Sequence, residues 1–260
     1  ETLRSNLALV GVIRSALEQT SLPADAIQYV EDTHRGRVLE LLQMDEYVDI
    51  IIPRGGAGLH ELCRQNSRIP VMTGGIGICH LFVDQSADLV ACLPLIHNAK
   101  TQRPTVCNAL DTLLVHRAVA AEFLPRVVAY LGASGVTFRA HATAIPFLVP
   151  QDTGAYLDPQ GGEVKFGENV GEQLPASVQP AGEEDFDTEW LSLVLGLKVV
   201  DALDEAIAHI AAHSTAHSDG ILTNDEANAA RFTAEVDSAA VYVNASTRFT
   251  DGSQFGLGAE

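Results

Sequence analysis

Apolar runs of strand length alternate along this chain with segments whose apolar residues recur at helical spacing, and that alternation most constrains its fold. Asn6 to Gln19 and Arg35 to Met44 have helical spacing, with Ile27 to Val30 as a short strand between them. Val48 to Pro53 is a continuous apolar run, followed by the turn Arg54-Gly-Gly-Ala-Gly58, a helical pattern to about Gln65 and a second apolar run, Ile69 to Met72. Leu81 to Val83 and Thr112 to His116 read as strands, each followed by a helical pattern, Ala87 to Ala99 and Ala118 to Tyr130. After a largely apolar run within Glu189 to Val200, Asp204 to Ala212 reads as a helix with Asp204 and Glu205 in its favoured first turn. Gly220 to Leu222 and Ala239 to Val243 are strands flanking a helix over Asn224 to Val236. Apolar strands joined by helices of this length imply right-handed crossovers and a parallel sheet covered on both faces. The expected fold is α/β, with a Rossmann-like, dinucleotide-domain-like parallel-sheet pattern, present in part, over residues 1–80 and a second α/β unit over 81–260. Between Gln151 and Ala181 the chain turns to Gly, Pro, Glu, Asp and Gln, which reads as a solvated loop or hairpin.

With 260 residues and 47% hydrophobic content the chain can bury a large core, and no charge-free apolar run is long enough to cross a bilayer. Its 34 acidic and 16 basic residues give a formal charge of −18, which repels phosphate backbones and anionic membrane surfaces and makes nucleic acid a poor partner. An anionic ligand would therefore need a local positive pocket. Cys63, Cys79, Cys92 and Cys107 show no zinc-type spacing, and a chain this size does not need disulfide staples, so a reducing cytoplasm fits best. The first residues mix charge and polarity and do not read as a secretory signal.

The stretch from Asn98 to His116 sets Cys107 in a polar turn just before an apolar strand, near Lys100, Arg103 and backbone amides that would each favour a nucleophilic thiolate. On environment alone, an inert buried cysteine competes with that reading. Lys100, Arg103 and Asn108 are the local candidates to meet an anionic phosphate or carboxylate, with ordinary surface charge as the alternative. The turn Arg54-Gly55-Gly56 follows an apolar strand and opens a helix, so it either presents free amides to a pyrophosphate or only makes a tight turn. Cys79 and His80 are adjacent on a strand and point to opposite faces, which argues against a shared metal ion. His209, His213 and His217 recur every four residues, but Ser214 and Thr215 end the helix and no carboxylate ligand joins them, so no metal site is expected.

These motifs carry a resemblance. Together with Tyr47-Val-Asp-Ile-Ile-Ile-Pro-Arg-Gly-Gly-Ala-Gly58, Gly77-Ile-Cys-His-Leu-Phe-Val-Asp84 and Val243-Asn-Ala-Ser-Thr-Arg-Phe-Thr-Asp-Gly252, the segment around Cys107 resembles the γ-glutamyl phosphate reductase (glutamate-5-semialdehyde dehydrogenase) family of the aldehyde dehydrogenase superfamily. The likeness covers nearly the whole chain and weakens between about Val136 and Ala181. It implies that 1–80 is the C-terminal part of an NADP-binding domain and that 81–260 is a catalytic domain with a polar loop at about 150–181. The activity it implies is NADPH-dependent reduction of L-glutamyl 5-phosphate to L-glutamate 5-semialdehyde and phosphate through a thioester on Cys107, the second step of proline biosynthesis from glutamate. Glu189 matches the superfamily glutamate that holds the nicotinamide ribose, or is an ordinary edge carboxylate. Arg54, Gly55 and Gly56 lie at the turn near the dinucleotide, and Asn244, Ser246, Thr247 and Arg248 match a loop lining the cleft.

The resemblance also bears on what the chain lacks. Hydrolytic aldehyde dehydrogenases usually place a glutamate base at the strand matching Gly74-Gly-Ile-Gly-Ile-Cys-His80, and this segment has no carboxylate, which favours exchange of the thioester with phosphate over attack by water. Met72-Thr-Gly-Gly-Ile-Gly77 departs from the histidine and aspartate variants of many members and leaves cofactor detail open. A hydrolytic dehydrogenase and a non-catalytic piece of a kinase-reductase fusion are the competing readings. The chain starts inside a helical pattern and closes on Gly256-Leu-Gly-Ala-Glu260, so a further segment is expected at each end. A homo-oligomer and a functional partnership with glutamate 5-kinase are expected of the full-length protein.

Overall fold

The structure is a computed structural model that describes residues 2–72, 74, 76–149, 156–157, 163–164 and 174–250. Thr73 and Gly75 of the glycine-rich turn, most of the polar stretch after Pro150 and the segment from Asp251 to Glu260 lie outside the described residues. The chain divides into two compact units, Glu1–Gly74 and Gly75–Glu260.

The first unit holds three helices, α1 (Leu3–Leu17), α2 (Gly36–Leu41) and α3 (Ala57–Asn66). The two apolar runs expected as strands here make only one parallel bridge, Ile51 to Val71, with Ile51 N–H donating to Pro70 O at 2.9 Å and Met72 N–H to Ile51 O at 2.8 Å. Pro53 and Pro70 have no N–H to extend a ladder on either side. Ile27 to Val30, expected as a strand, instead follows a single 3₁₀ turn at Ala24–Ala26 and joins no sheet among the described residues; the Ile27 carbonyl accepts from Arg14 of α1.

The sheet predicted from the alternating pattern lies in the second unit. Its strands are β1 (Cys79–Val83), β2 (Leu110–His116), β3 (Thr137–Ala140), β6 (Val178–Pro180), β7 (Val194–Val200), β8 (Ser218–Leu222) and β9 (Ala240–Val243), ordered β6-β3-β7-β2-β1-β8-β9 with every pair parallel. Four helices form the crossovers: α4 (Leu89–Thr101), α5 (Arg117–Gly132), α6 (Leu203–His213) and α7 (Glu226–Glu235). Asp88 caps α4 by accepting from the Val90 and Ala91 amides, and Asp225 does the same for α7 from Ala227 and Asn228. Within the polar stretch, β4 (Tyr156–Leu157) and β5 (Glu163–Val164) pair antiparallel, and Val178–Pro180 adds an edge strand where only loop was expected. Pro180 is tolerated there because an edge strand need not donate on its open side.

Each face of the sheet packs on a different helix pair, because alternate residues point to opposite sides. Leu81, Val83, Leu113, Val115, Leu195, Leu197 and Val199 meet α4 and α5, whereas Phe82, Leu114 and Val200 meet α6 and α7. The second face also carries a polar row in register across five strands, Asp219, His80, Thr112, Gly196 and Arg139. His80 donates through Nδ1 to Asp219 Oδ1 at 3.0 Å, while the Ser214 and Ser238 hydroxyls donate to the other carboxylate oxygen at 2.6 and 2.5 Å. A Cβ at Gly196 would stand 3.2 Å from both the Phe186 ring and Thr112 Oγ1, so the glycine makes room for the aromatic cover of this row. Among the described residues no helix is long and apolar enough to cross a membrane.

Candidate active site

Cys107 sits on the turn that feeds β2, closed by Ala109 N–H donating to Val106 O at 3.0 Å, and it is the exposed cysteine of the four; Cys63, Cys79 and Cys92 are buried. Among the described residues nothing accepts from the Cys107 or Asn108 amides, so both remain open to a ligand. The turn is pressed against the segment leading into β1. A Cβ at Gly77 would lie 1.7 Å from the Cys107 carbonyl oxygen, so only glycine permits this approach, and the Cys79 thiol donates to the same carbonyl at 3.2 Å. Burial pushes the Cys79 thiol far above its usual range, so Cys79 is a donor and not a nucleophile.

Lys100 does not face solvent as its expected role requires. It is fully buried, donating to Leu110 O at 2.8 Å and standing 3.6 Å from Asp111 Oδ1, and so holds the turn from below. Asp111 in turn accepts the Trp190 N–H at 3.2 Å and the Cys79 N–H at 3.4 Å. Burial raises its carboxyl to about 6, although Lys100 and the two amides pull the other way. Glu189, half-buried before β7, accepts the Gly77 N–H through Oε1 at 3.0 Å. Its second carboxylate oxygen has no described donor and can accept one from a ligand.

The loop after β9 runs from one end of the sheet to the other. Asn244 takes the left-handed conformation (φ 53°), in which asparagine is favoured, and its amide bonds the Thr223 N–H at 2.9 Å and the Thr223 carbonyl at 2.8 Å. Asn244 thus continues the strand pairing. Ser246 is buried, and its hydroxyl accepts the Arg248 N–H at 3.2 Å. The structure brings Thr247 and Arg248 to the cysteine turn: the Thr247 hydroxyl donates to Asn108 O at 2.7 Å, and the Arg248 guanidinium donates to the Asn108 side-chain oxygen and to Gln102 Oε1 at 3.2 Å. Arg103 is exposed and has no ion pair among the described residues. These two cations matter because α4 and α6 both reach this edge by their carboxyl ends, which offer an anion no positive pole.

In the first unit, Arg54, Gly55 and Gly56 form an exposed turn before α3, whose start has no side-chain cap. A Cβ at Gly56 would meet nothing within 4 Å, whereas one at Gly55 would approach the Leu59 side chain to 2.9 Å. An uncapped helix start with exposed glycine backbone fits a phosphate group. Sequence reasoning assigned no role to Asp111 or to the contact between Gly77 and the cysteine turn. A lone carboxylate inside the apolar strand Leu110–His116 was the available signal, since such a charge must find a buried partner.

No family model matches the chain. Among curated relatives, the γ-glutamyl phosphate reductase of Aeromonas salmonicida is 54% identical over 260 residues, which is 100% of this chain and 57% of that protein, and that of Klebsiella pneumoniae is 54% identical with the same coverage. The crystal structure of γ-glutamyl phosphate reductase from Thermotoga maritima matches with a TM-score of 0.85 at 45% identity, over 99% of this chain and 56% of that one. A propionaldehyde dehydrogenase from Clostridium phytofermentans, at 17% identity and a TM-score of 0.65, shares the fold over 99% of this chain and 60% of its own. The chain thus spans little more than half the length of the relatives it matches. Along its entire length, in sequence and in fold, the chain is similar to the γ-glutamyl phosphate reductases.

Proposed function

We propose that the full-length protein reduces L-glutamyl 5-phosphate to L-glutamate 5-semialdehyde and phosphate, with Cys107 as nucleophile and NADPH as reductant. The observation that carries this reading is the exposed Cys107 thiol on a turn whose amides are open and whose neighbour Asn108 is held by Arg248. The Cys107 thiolate attacks the acyl carbon, a carbon–sulfur bond forms, and the bond to phosphate breaks. Amides of the turn stabilise the oxyanion, and Arg103 and Arg248 supply local positive charge to the anionic substrate within a chain of net charge −18. A nicotinamide dinucleotide, when bound, supplies the hydride that reduces the thioester and releases the Cys107 thiolate. For that group, Glu189 offers its free carboxylate oxygen to the ribose, and Arg54, Gly55 and Gly56 offer an uncapped helix start to the phosphates. An engineered glycolyl-CoA reductase of the same fold with NADP+ bound supports this cofactor class. The reading places the protein after a kinase that makes the acyl phosphate, in proline biosynthesis.

The segment from Ile76 to His80 carries no carboxylate, which favours phosphate over water as the partner of the thioester. Run in reverse on the full-length protein, NADP+ reduction by glutamate 5-semialdehyde is expected to need inorganic phosphate and to fall by about 10²-fold or more without it, the scale on which a general base contributes. Phosphate-independent turnover yielding free glutamate would instead establish a hydrolytic dehydrogenase.

A further inference from the structure

We propose that the buried Lys100–Asp111 pair is a positioning element that fixes the three segments of the candidate site in register with one another. The inference rests on the reading of Cys107 and Glu189 given above. Asp111 lies four residues after Cys107 and binds the start of β1 through the Cys79 amide and the segment before β7 through the Trp190 amide. Glu189, next to Trp190, reaches the Gly77 amide, and Gly77 is packed on the Cys107 carbonyl. The bonds therefore close a ring, Asp111 to Cys79, along the chain to Gly77, across to Glu189, and through Trp190 back to Asp111. Lys100 adds α4 to this ring through the Leu110 carbonyl and the Asp111 carboxylate.

Stability does not explain the pair. Two charges with side chains 0% and 2% exposed forfeit their hydration, and a buried ion pair is often replaceable by apolar residues without loss. Its partners explain it better: a carboxylate can accept from two amides at once while countering an ammonium, and no apolar or singly accepting side chain can. The charged groups facing Asp111 are Lys100 from α4 and Glu189 from the segment before β7, with the neutral Cys79 thiol from β1. Burial holds the Asp111 carboxyl at about 6, so its charge is kept near neutral pH against a strong opposing tendency.

The test uses the full-length protein with Asp111→Asn, Asp111→Glu and Lys100→Met. Cys107 reactivity is read by thiol exchange with dithiodipyridine, which needs no reductase activity, and turnover is read separately. The expected result is that Asp111→Asn lowers kcat by about 10²-fold at pH 7.5, the scale of a small misplacement of reacting groups, with Asp111→Glu recovering most of it. The thiol-exchange rates of wild type and Asp111→Asn should differ several-fold at pH 7.5 and converge by pH ~5, where Asp111 is protonated and resembles asparagine. If Asp111→Asn does not fold, amide exchange in the wild type decides: protection at Cys79 and Trp190, corrected for intrinsic rates, should drop as pH falls through about 6. A folded Asp111→Asn protein with wild-type thiol exchange at both pH values, or amide protection unchanged across that range, would overturn the proposal. Loss of turnover alone in every version, wild type included, would count against the proposed reaction, with the thiol and amide measurements still deciding the positioning role.

Discussion

Two buried aspartates, at opposite ends of the same sheet, show what separates a structural cluster from a site. Asp84, just past β1, receives the Ser86 and Thr223 hydroxyls at 2.8 Å each and the Asn228 amide at 3.3 Å. Burial alone would raise its carboxyl, but these donors outweigh burial and hold it below the usual carboxylate range. Asp111, at the start of β2, has two backbone amides and an ammonium 3.6 Å away, and there burial wins. The Asp84 cluster closes on itself, since the Ser86 and Thr223 hydroxyl oxygens stand 2.8 Å apart and Thr223 is bridged by Asn244. Around Asp111 the bonds lead outward, to segments that end in an exposed thiol, open amides and cationic side chains without an ion pair among the described residues. In open α/β sheets ligands usually gather at the carboxyl ends of the strands. Here that end is occupied by mutual hydrogen bonds, and the open groups are at the amino ends.

Substitutions at the two ends should therefore fail in different ways. The largest effect is expected from Gly77→Ala, because the added methyl overlaps the Cys107 carbonyl backbone and the turn must move. Turnover by the full-length protein should fall by about 10²-fold or more, measured on the folded fraction. Activity within a factor of two of wild type would show that the contact does not set the position of Cys107. At the other end, Asp84→Ala should cost about 2–4 kcal/mol of stability in denaturant unfolding by stranding buried donors, with kcat nearly unchanged. Because the folded carboxyl of Asp84 lies below its unfolded value of 3.8, the stabilisation is present above that pH and lost as pH falls through the folded value, so the two proteins should converge in acid. A fall in kcat matching the loss seen for Gly77→Ala would erase the distinction between the two ends.

How much of this was legible in sequence follows from what each residue's partner is. The strands β1, β2, β7, β8 and β9 were marked by apolar runs whose period reports burial, and Asp204 and Glu205 marked a helix start by a local rule, whereas β3 and the edge strand β6 were too short to stand out. Ile69 to Met72 had the same apolar run but, among the described residues, forms a single bridge to Ile51 and not a strand, a fact no local pattern carries. Cys107 could be placed in a turn and matched to a family, yet its exposure came only with the structure. Lys100 looked like a surface cation because its partner is eleven residues on and across a strand start. Asn244 looked like a cleft residue, but its amide is consumed by Thr223, twenty-one residues back. Both cases have one origin: a polar residue's role depends on whether its bonds are already taken, and the partners are distant in sequence.

The central claim is that Cys107 forms the acyl bond. It is tested most directly by giving the full-length protein glutamate 5-semialdehyde and NADP+ without phosphate, quenching in acid and mapping the modified peptide by mass spectrometry. A glutamyl thioester on the Cys107 peptide, absent in a folded Cys107→Ala protein that also fails to turn over, is the expected result. A label on a different cysteine, or full turnover by Cys107→Ala, would contradict it.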